Sequence, residues 1–172
     1  GANERVQIGM LGTGGRGRYH IGWLERTSTI EPLKVIAACD IWNVQREQAK
    51  AEIEKRFQDT PALYKDYREL LDNKDIDAVL IATPDHQHCP MAADAVKAGK
   101  DVYVEKPIAV TLNELNELYD VVKASDRIIQ HGTQGRSSAG AQAMRDFIQA
   151  GKLGKILRVG ECRSHYIPYW NN

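Results

Sequence analysis

The sequence predicts an α/β fold with a doubly wound, mostly parallel sheet and helices on both faces. Strand and helix patterns alternate along the 172 residues with short connections, which is typical of sheets built from βαβ units. The strand segments are near-continuous apolar runs, as expected where both faces of a sheet are covered. The first run ends in Gly12-x-Gly14-x-x-Gly17 ahead of a helix pattern, which is the fingerprint of a Rossmann-type dinucleotide-binding turn.

Composition is ordinary for a globular protein and gives no sign of a charged partner. The 23 basic and 23 acidic side chains cancel, and 42% of the residues are hydrophobic, so no overall field favours nucleic acid or a membrane surface. No apolar run approaches the length of a membrane span. Cys39, Cys89 and Cys162 are widely spaced and odd in number. They predict buried or inert thiols, with neither metal spacing nor a disulfide framework.

The first half of the chain contains three predicted strands and three predicted helices. The runs at 6–11 and 33–39 indicate buried strands, and 62–64 indicates a short edge strand. A helix from 15 to about 27 has Ile21 and Leu24 as its apolar side. A second, from 43 to about 57, carries Ala49, Ile53 and Phe57 at four-residue spacing, and a short third helix covers 66–71.

The second half continues the alternation, with strands predicted over 77–82, 101–104 and 127–130. A helix rich in small residues covers 89–98 and is stopped by Gly99 as its C′ residue. Thr111-Leu112-Asn113-Glu114 is a capping box. It opens a helix with Leu115, Leu118 and Val122 on one side.

The last predicted elements are a helix over 139–150 and a strand over 156–162. We expect Met144, Phe147 and Ile148 of that helix to face inward, and Gly151 to end it.

The ends of the chain suggest how the domains are divided. We expect a dinucleotide-binding domain over 1–157 and, over the aromatic-rich 158–172, the start of a substrate and oligomerisation domain that this chain lacks. The N-terminus has no initiator Met and enters the first strand almost at once. This suggests either a tag remnant or a mature form after removal of an export signal. The expected compartment is the cytoplasm, or the periplasm in the second case.

The glycine turn predicts where a cofactor diphosphate would sit. Gly12 permits the tight turn out of the strand, and Gly14 has no Cβ to keep a pyrophosphate away. Gly17 lets the helix pack closely on the sheet. The free N–H groups and the positive dipole end of that helix favour phosphate charge.

Asp40 ends the second predicted strand, at the distance of roughly 20 residues past the glycines where the fingerprint has an acidic residue. Such a carboxylate accepts hydrogen bonds from the adenosine ribose and repels a 2′-phosphate. The next residues are Ile41-Trp42-Asn43, with no adjacent cation, which favours NAD over NADP. Arg46 would reverse this preference if it turned inward. The alternative role for Asp40 is a turn or helix N-cap residue.

Two polar clusters follow later strands, and both fall on the edge that carries the glycine turn, because ligands bind beyond the carboxyl ends of parallel strands. One is Thr83-Pro84-Asp85-His86-Gln87-His88, and the other is Glu105-Lys106-Pro107. His86 and His88 would share a side of an extended segment, but no third ligand at metal spacing accompanies them. We therefore expect helix capping or cofactor contact from this cluster and no metal site.

Lys106 is the residue of this edge that best fits catalysis. A lysine held beside a cofactor can hydrogen-bond a substrate hydroxyl and stabilise the oxyanion that develops during hydride transfer. The alternative is a solvated lysine in a charged turn, and spacing alone leaves the two roles open.

The ordered motifs resemble the glucose–fructose oxidoreductase, inositol dehydrogenase and rhizopine-catabolism family, usually written Gfo/Idh/MocA. The resemblance covers essentially the whole chain and is specific for the family but not for a substrate. The matching segments are Gly12-Thr13-Gly14-Gly15-Arg16-Gly17, Cys39-Asp40, Ala82-Thr83-Pro84-Asp85-His86-Gln87-His88, Ala98-Gly99-Lys100-Asp101-Val102-Tyr103-Val104-Glu105-Lys106-Pro107 and Gly151-Lys152-Leu153-Gly154-Lys155-Ile156.

The resemblance implies a two-domain oxidoreductase, with a Rossmann domain followed by an open-faced sheet that shapes the substrate pocket and makes a homo-oligomer. It implies that Asp40 binds the adenosine ribose, that Glu105 touches the nicotinamide ribose and that Lys106 is catalytic, in many members through a cis Lys–Pro bond. Gln134 and Arg136 fall where the family meets cofactor or substrate. The cofactor-binding residues implied in this way are Gly12, Thr13, Gly14, Gly15, Arg16, Gly17, Asp40, Thr83, Pro84, Asp85, His88, Glu105 and Gln134.

Two departures from the family pattern matter. Asp85 stands where the family usually has Asn, which puts a charge where an amide is usual. The family's general-base histidine lies in the C-terminal half, beyond Asn172, and His165 is not assigned that role. We therefore expect this chain to bind the cofactor and to be inactive alone.

The leading hypothesis is that the whole protein is an NAD-dependent dehydrogenase that moves a hydride between nicotinamide and a sugar, cyclitol or related polyol. One alternative is a glycosidase that uses bound NAD transiently, against which the Glu105-Lys106-Pro107 triplet argues. The other is a non-catalytic cofactor-binding or redox-sensing module, against which the intact Lys106 argues.

Overall fold

Strands and helices alternate through residues 5–160, the part of the chain that this computed structural model describes. The first half contains β1 (Val6–Leu11), α1 (Gly15–Ser28), β2 (Leu33–Cys39), α2 (Asn43–Phe57), β3 (Ala62–Tyr64) and α3 (Tyr67–Leu71). The second half contains β4 (Ala78–Ile81), a 3-10 helix (Asp85–Gln87), α4 (His88–Lys97), β5 (Asp101–Glu105), α5 (Leu112–Lys123), β6 (Ile129–Gly132), a 3-10 helix (Gln134–Ser137) and α6 (Ala139–Gln149). Where the sequence predicts the bounds of an element, they differ from the observed ones by at most two residues. The two 3-10 helices and the end of α5 were not predicted.

One six-stranded sheet has the order β3-β2-β1-β4-β5-β6. Every neighbouring pair is parallel, which confirms the predicted α/β class. The chain runs outward from β1 to β3 and then returns to the other side of β1 to build β4, β5 and β6. The order therefore reverses between β1 and β4, and in open α/β sheets this is where ligands bind.

Two apolar layers cover the two faces of the sheet. Successive strand residues point to opposite faces of the sheet, so neighbouring residues of β1 belong to different apolar clusters. Met10 packs with Ile21 of α1 and Ile53 of α2 in one cluster. Leu11 packs in the other cluster, whose helical members come from α3, α4 and α5 and are Tyr67, Leu70, Leu71, Cys89, Ala92, Ala95, Val96 and Leu118. Helices thus lie on both faces, as the doubly wound prediction requires.

The capping box at the start of α5 is confirmed. The Thr111 hydroxyl accepts a hydrogen bond from the Glu114 amide at 3.3 Å, and the Glu114 carboxylate accepts one from the Thr111 amide at 3.1 Å. These bonds satisfy backbone donors that the helix start would otherwise leave without partners. Leu118, two turns into the helix, is buried as the apolar spacing predicts.

The chain divides into two units between Thr133 and Gln134, and the sheet belongs to the first. In the second unit, α6 begins at its N-cap Ser138, whose hydroxyl accepts from the Ala141 amide at 3.2 Å. Met144, Phe147 and Ile148 are 59%, 44% and 37% exposed, and the expectation that they face inward stays a prediction. An apolar stripe shows which side of a helix is apolar but not what covers it.

The strand predicted over 156–162 is wrong for the part that the structure describes. Residues 156–160 are irregular, and 161–162 lie outside the described part of the chain. Ile156, Leu157 and Val159 are exposed. An apolar run becomes a strand only where another strand pairs with it. The predicted domain boundary at 157 stays a prediction.

The two cysteine thiols within residues 5–160 are buried and hard to deprotonate. Cys39 and Cys89 are buried and free, whereas Cys162 lies outside the described residues. Burial, with Asp40 and Asp66 nearby, raises the pKa of Cys39 to about 12, and burial also raises the pKa of Cys89. Over residues 5–160, no helix is long and apolar enough to cross a membrane.

Candidate functional site

The carboxyl ends of β1, β4 and β5 lie side by side, because these three strands are parallel neighbours in the sheet. The glycine turn follows β1, the Thr83–His88 cluster follows β4, and Glu105-Lys106-Pro107 ends β5. Asp40 follows β2, on the other side of β1. The segments predicted to share one edge of the sheet therefore do so, and we call this edge the rim.

Two glycines of the turn are required by the packing of the chain itself. Gly12 has a φ of +82°, and a Cβ there would lie 2.7 Å from the carbonyl oxygen of Ala82 at the end of β4. A Cβ on Gly17 would lie 2.2 Å from the carbonyl oxygen of Gly12. No side chain fits at either distance, so these glycines let α1 start directly against the end of β1.

Packing within the described residues does not require a glycine at position 14, since a Cβ there would meet no atom within 4 Å. Gly14 is the N-cap of α1 in an extended conformation, and no described side chain caps this helix or puts a carboxylate in its first turn. The backbone at the start of α1 is thus open to solvent, with N–H groups that suit an anion. This arrangement fits the diphosphate of a dinucleotide.

Asp40 holds the glycine turn to the end of β2. Its Oδ2 accepts hydrogen bonds from the Thr13 amide at 2.9 Å and the Thr13 hydroxyl at 3.3 Å. Its Oδ1 accepts from the amide of Trp42, the N-cap of α2, at 3.0 Å. Asp40 therefore has the structural turn role left open by the sequence. A carboxylate offers about four acceptor sites, so these contacts leave capacity for a ribose hydroxyl.

Arg46 lies beside Asp40 but is turned to the backbone. Its Nη1 donates to the carbonyl oxygen of Asp40 at 2.5 Å, and its Nη2 donates to Oδ1 of Asn43 at 2.9 Å. Both terminal nitrogens of the guanidinium thus bind groups in the β2–α2 connection or at the start of α2.

His88 is buried and joins the ends of two strands. Its Nδ1 lies 2.6 Å from the carbonyl oxygen of Pro107, and its Nε2 lies 2.9 Å from that of Thr83. Only 1% of the residue is exposed. The structure therefore shows His88 linking the segments after β4 and β5, while His86, two residues earlier, is exposed. Among the described residues, no group of three or more His, Cys, Asp or Glu could hold a metal.

The segment between β4 and His88 contains one polar atom that needs explanation. The Thr83 hydroxyl oxygen is buried and has no hydrogen-bond partner within residues 5–160. Pro84 and Asp85, next along the chain, are exposed. A buried polar atom without a partner costs free energy, and a ligand that hydrogen-bonds Thr83 would remove that cost.

Glu105 is almost fully buried at the end of β5, with only 3% of the residue exposed. Its Oε1 accepts from Arg16, at 2.7 Å from Nε and 2.6 Å from Nη2, and lies 2.7 Å from Nε2 of His20. Its Oε2 accepts from the amide of Lys106 at 3.1 Å. Lys106 itself is exposed, and the Lys106–Pro107 bond is cis, as the family resemblance predicts.

His20 is the residue of this cluster that sequence reasoning missed. It lies one helical turn after Arg16, so both side chains share a face of α1. Its ring packs edge-on against Tyr103 of β5, with the ring centroids 5.4 Å apart. The signal available in the sequence was a polar residue next to Ile21 on the predicted apolar side of α1.

Burial lowers the pKa of His20 below its ordinary value, and the Arg16 charge lowers it further, against the opposing hydrogen bond and charge of Glu105. At neutral pH the ring is therefore uncharged in the folded chain and can donate one N–H to Glu105.

Gln134 and Arg136 lie in the 3-10 helix Gln134–Ser137 of the second unit. Their expected contact with cofactor or substrate stays a prediction.

Comparison with known proteins points to one family. The family model GFO_IDH_MocA, described as an oxidoreductase family with an NAD-binding Rossmann fold, matches residues 6–133. Among curated proteins, the chain is 33% identical over 161 residues to glycosyl hydrolase family 109 protein 2 of Shewanella sp. (strain ANA-3). That match covers 90% of this chain and 34% of the relative. The chain thus spans about a third of the length of this relative.

Solved structures give the same picture of the fold. Myo-inositol 2-dehydrogenase from Lactobacillus plantarum matches with a TM-score of 0.78 and 29% identity, over 88% of this chain and 43% of that one. Scyllo-inositol dehydrogenase from Lactobacillus casei, solved with bound NAD(H) and scyllo-inositol, matches with a TM-score of 0.78 and 25% identity. In that comparison 87% of this chain and 42% of the other are covered.

The glycine turn makes a first prediction about stability. Gly17→Ala should lower the free energy of unfolding by about 1–3 kcal/mol, because its Cβ would overlap a backbone oxygen. Gly14→Ala should lower it by less than about 1 kcal/mol, the effect of a poorer N-cap residue. Urea denaturation followed by circular dichroism measures both. Equal losses in the two variants would contradict the packing described for the turn.

His20 makes a second prediction, on pH dependence. Because its folded pKa is lowered, the unfolded chain binds a proton more readily. The stability that His20 contributes is therefore present above its unfolded pKa of about 6.5 and is lost as pH falls through the folded pKa. The free energy of unfolding should fall from pH 7.5 to 5.5, and His20→Gln should flatten this slope. The control is His86→Gln at an exposed ring; an unchanged slope in the His20 variant would contradict the assignment.

Proposed function

Because the chain belongs to the Gfo/Idh/MocA oxidoreductase family and carries its NAD-binding Rossmann domain, we propose that it is the cofactor half of a polyol dehydrogenase. The substrate would be a sugar, cyclitol or related polyol, and the reaction would move a hydride between its carbinol carbon and nicotinamide C4. The observation that carries this proposal is the exposed Lys106 on the rim that bears the open backbone of Gly14.

Cofactor binding in this proposal uses the start of α1 and Asp40. The open backbone around Gly14 accepts the diphosphate, whose charge suits the N–H groups and dipole of the helix. Asp40 accepts hydrogen bonds from the adenosine ribose, on the acceptor sites that Thr13 and Trp42 do not use. The buried Thr83 hydroxyl lies at the end of β4, on the nicotinamide side, and would find a partner there.

The proposed cofactor is NAD rather than NADP. A 2′-phosphate would meet the Asp40 carboxylate at close range, and like charges repel. The nearest guanidinium, that of Arg46, binds the Asp40 carbonyl and the Asn43 side chain. It would have to leave both partners to neutralise a phosphate.

Lys106 would act on the substrate oxygen. When the substrate is oxidised, its carbon loses a hydride and its hydroxyl loses a proton, so negative charge develops on oxygen. An ammonium group fixed beside that oxygen stabilises the charge as it forms. The proton would go to a base outside this chain, and Lys106 would hold the oxygen in place.

The polyol class is supported by the solved relatives, which include two inositol dehydrogenases, one of them with scyllo-inositol bound. A cyclitol presents adjacent hydroxyls, and these suit hydrogen-bonding side chains such as Lys106 on an exposed rim.

A second candidate is an NAD-dependent glycosidase, which the relative in glycosyl hydrolase family 109 favours. In such an enzyme the sugar would be oxidised and reduced again, so NAD would be restored at the end of each cycle. The same glycine turn would hold the NAD in such an enzyme, whereas the Glu105-Lys106-Pro107 triplet argues against this candidate.

Lys106→Ala gives the test of the proposed function. In the whole two-domain enzyme that the family resemblance implies, the variant should reduce NADH formation from a polyol by about 100-fold or more, the usual effect of losing an oxyanion-stabilising donor. In the 172-residue chain, it should leave the NAD dissociation constant unchanged within about twofold, because Lys106 acts on substrate. Unchanged NADH formation would contradict the proposal. Release of aglycone from a p-nitrophenyl glycoside without net NADH would select the glycosidase.

Asp40→Asn tests the cofactor preference by calorimetric titration of the chain with NAD and NADP. The amide oxygen can still accept from Thr13, but the negative charge is removed, so the preference for NAD over NADP should shrink by about 10-fold or more. Asp126→Asn, at an exposed carboxylate paired with Arg127, is the control and should keep the preference. An unchanged preference in the Asp40 variant would contradict the proposed role.

A further inference from the structure

We propose that Glu105 is a positioning residue whose carboxylate, held by Arg16 and His20 of α1, fixes the main chain at Lys106 and so ties the lysine to the glycine turn. The functional meaning of this tie rests on the proposed role of Lys106. The tie itself concerns only contacts within the chain.

Glu105 divides its two carboxylate oxygens between the two segments. Oε1 faces α1, with Arg16 at 2.6 and 2.7 Å and His20 at 2.7 Å. Oε2 faces the turn after β5 and accepts from the Lys106 amide at 3.1 Å. One rigid, planar group thus joins the residue before Gly17 to the amide of Lys106. A rotation of the carboxyl group that changes the contacts of Oε1 with α1 therefore also changes the hydrogen bond from the Lys106 amide to Oε2.

Burial makes this arrangement stiff. A carboxylate that is 3% exposed is stable only when paired and hydrogen-bonded. Arg16 supplies the positive charge, and its side chain is 44% exposed, so it lies across the solvent side of the pair. His20, also buried, supplies a neutral donor from the inner side. Removing either takes one donor away from the buried carboxylate, so we expect Glu105 to move.

The family resemblance implies that Arg16 and Glu105 both contact the cofactor, and this stays a prediction. In the structure the two side chains also pair with each other, and the Arg16 guanidinium lies over the Tyr19 ring at 5.0 Å from its centroid. An anion bound at the start of α1 would therefore affect the position of Lys106 indirectly, through the contacts of Arg16 with Glu105 and of Glu105 with the Lys106 amide.

The amide resonance of Lys106 in a ¹H–¹⁵N spectrum of the cofactor-free chain reports on this tie. Glu105→Gln should move the resonance, since it weakens the acceptor. Arg16→Gln should move it as well, because Glu105 shifts once its cation is gone. Arg26→Gln, which removes the same charge from the far end of α1 where Arg26 lies over Trp23, should leave it in place.

A double variant shows whether the two residues act as one unit. If Arg16 acts through Glu105, then Arg16→Gln combined with Glu105→Gln should move the Lys106 resonance no further than the larger single change. Additive shifts, or an Arg16→Gln spectrum with the Lys106 resonance unmoved, would overturn the proposal.

Arg16→Lys is the second variant, needed in case Arg16→Gln loses its native spectrum. A lysine keeps the charge but cannot give the two-pronged contact of the guanidinium, so a smaller movement of the Lys106 resonance is expected, and none would overturn the proposal. Every one of these spectra is recorded without cofactor. Failure of the wild-type chain to bind NAD would count against the proposed function and leave this inference standing.

Discussion

The close approach of α1 to the end of β1 is the constraint on which the rest of the rim depends. Gly17 lies so near the carbonyl oxygen of Gly12 that a Cβ would be 2.2 Å from it. Because the helix can start there, its N-terminal backbone points out beyond the sheet at the place where the strand order reverses. The same placement brings Arg16 and His20 within hydrogen-bond distance of Glu105 on β5.

Hydrogen bonds between strand ends then lock the remaining pieces to this helix start. Asp40 holds Thr13 from the β2 side, and His88 joins Thr83 to Pro107 on the β4 and β5 side. None of these bonds lies within a helix or a strand pair. They fix loops, and loops positioned by a rigid sheet are where binding and catalytic groups are usually found. Lys106 is exposed among groups that are themselves held in place.

The sequence predicted most of the fold because the strands are short apolar runs between clear breaks, and a parallel sheet puts their carboxyl ends on one edge. It predicted the segments of the rim for the same reason. The partners of individual side chains could not be predicted. Nothing in the spacing shows that Glu105 pairs with Arg16, 89 residues away, or that His20 is buried beside them. Ile156 failed as a strand residue because an apolar pattern does not show which strand would pair with it.

A crystal structure of the chain grown with NAD would test the central claim most directly, namely that the start of α1 holds the diphosphate of a dinucleotide. The account predicts the diphosphate against the backbone of Gly14 and Gly15, within hydrogen-bond distance of N–H groups at the start of α1. It also predicts the adenosine ribose on Asp40 and the nicotinamide at the ends of β4 and β5. A dinucleotide bound away from the glycine turn, or absent at saturating concentration, would contradict it.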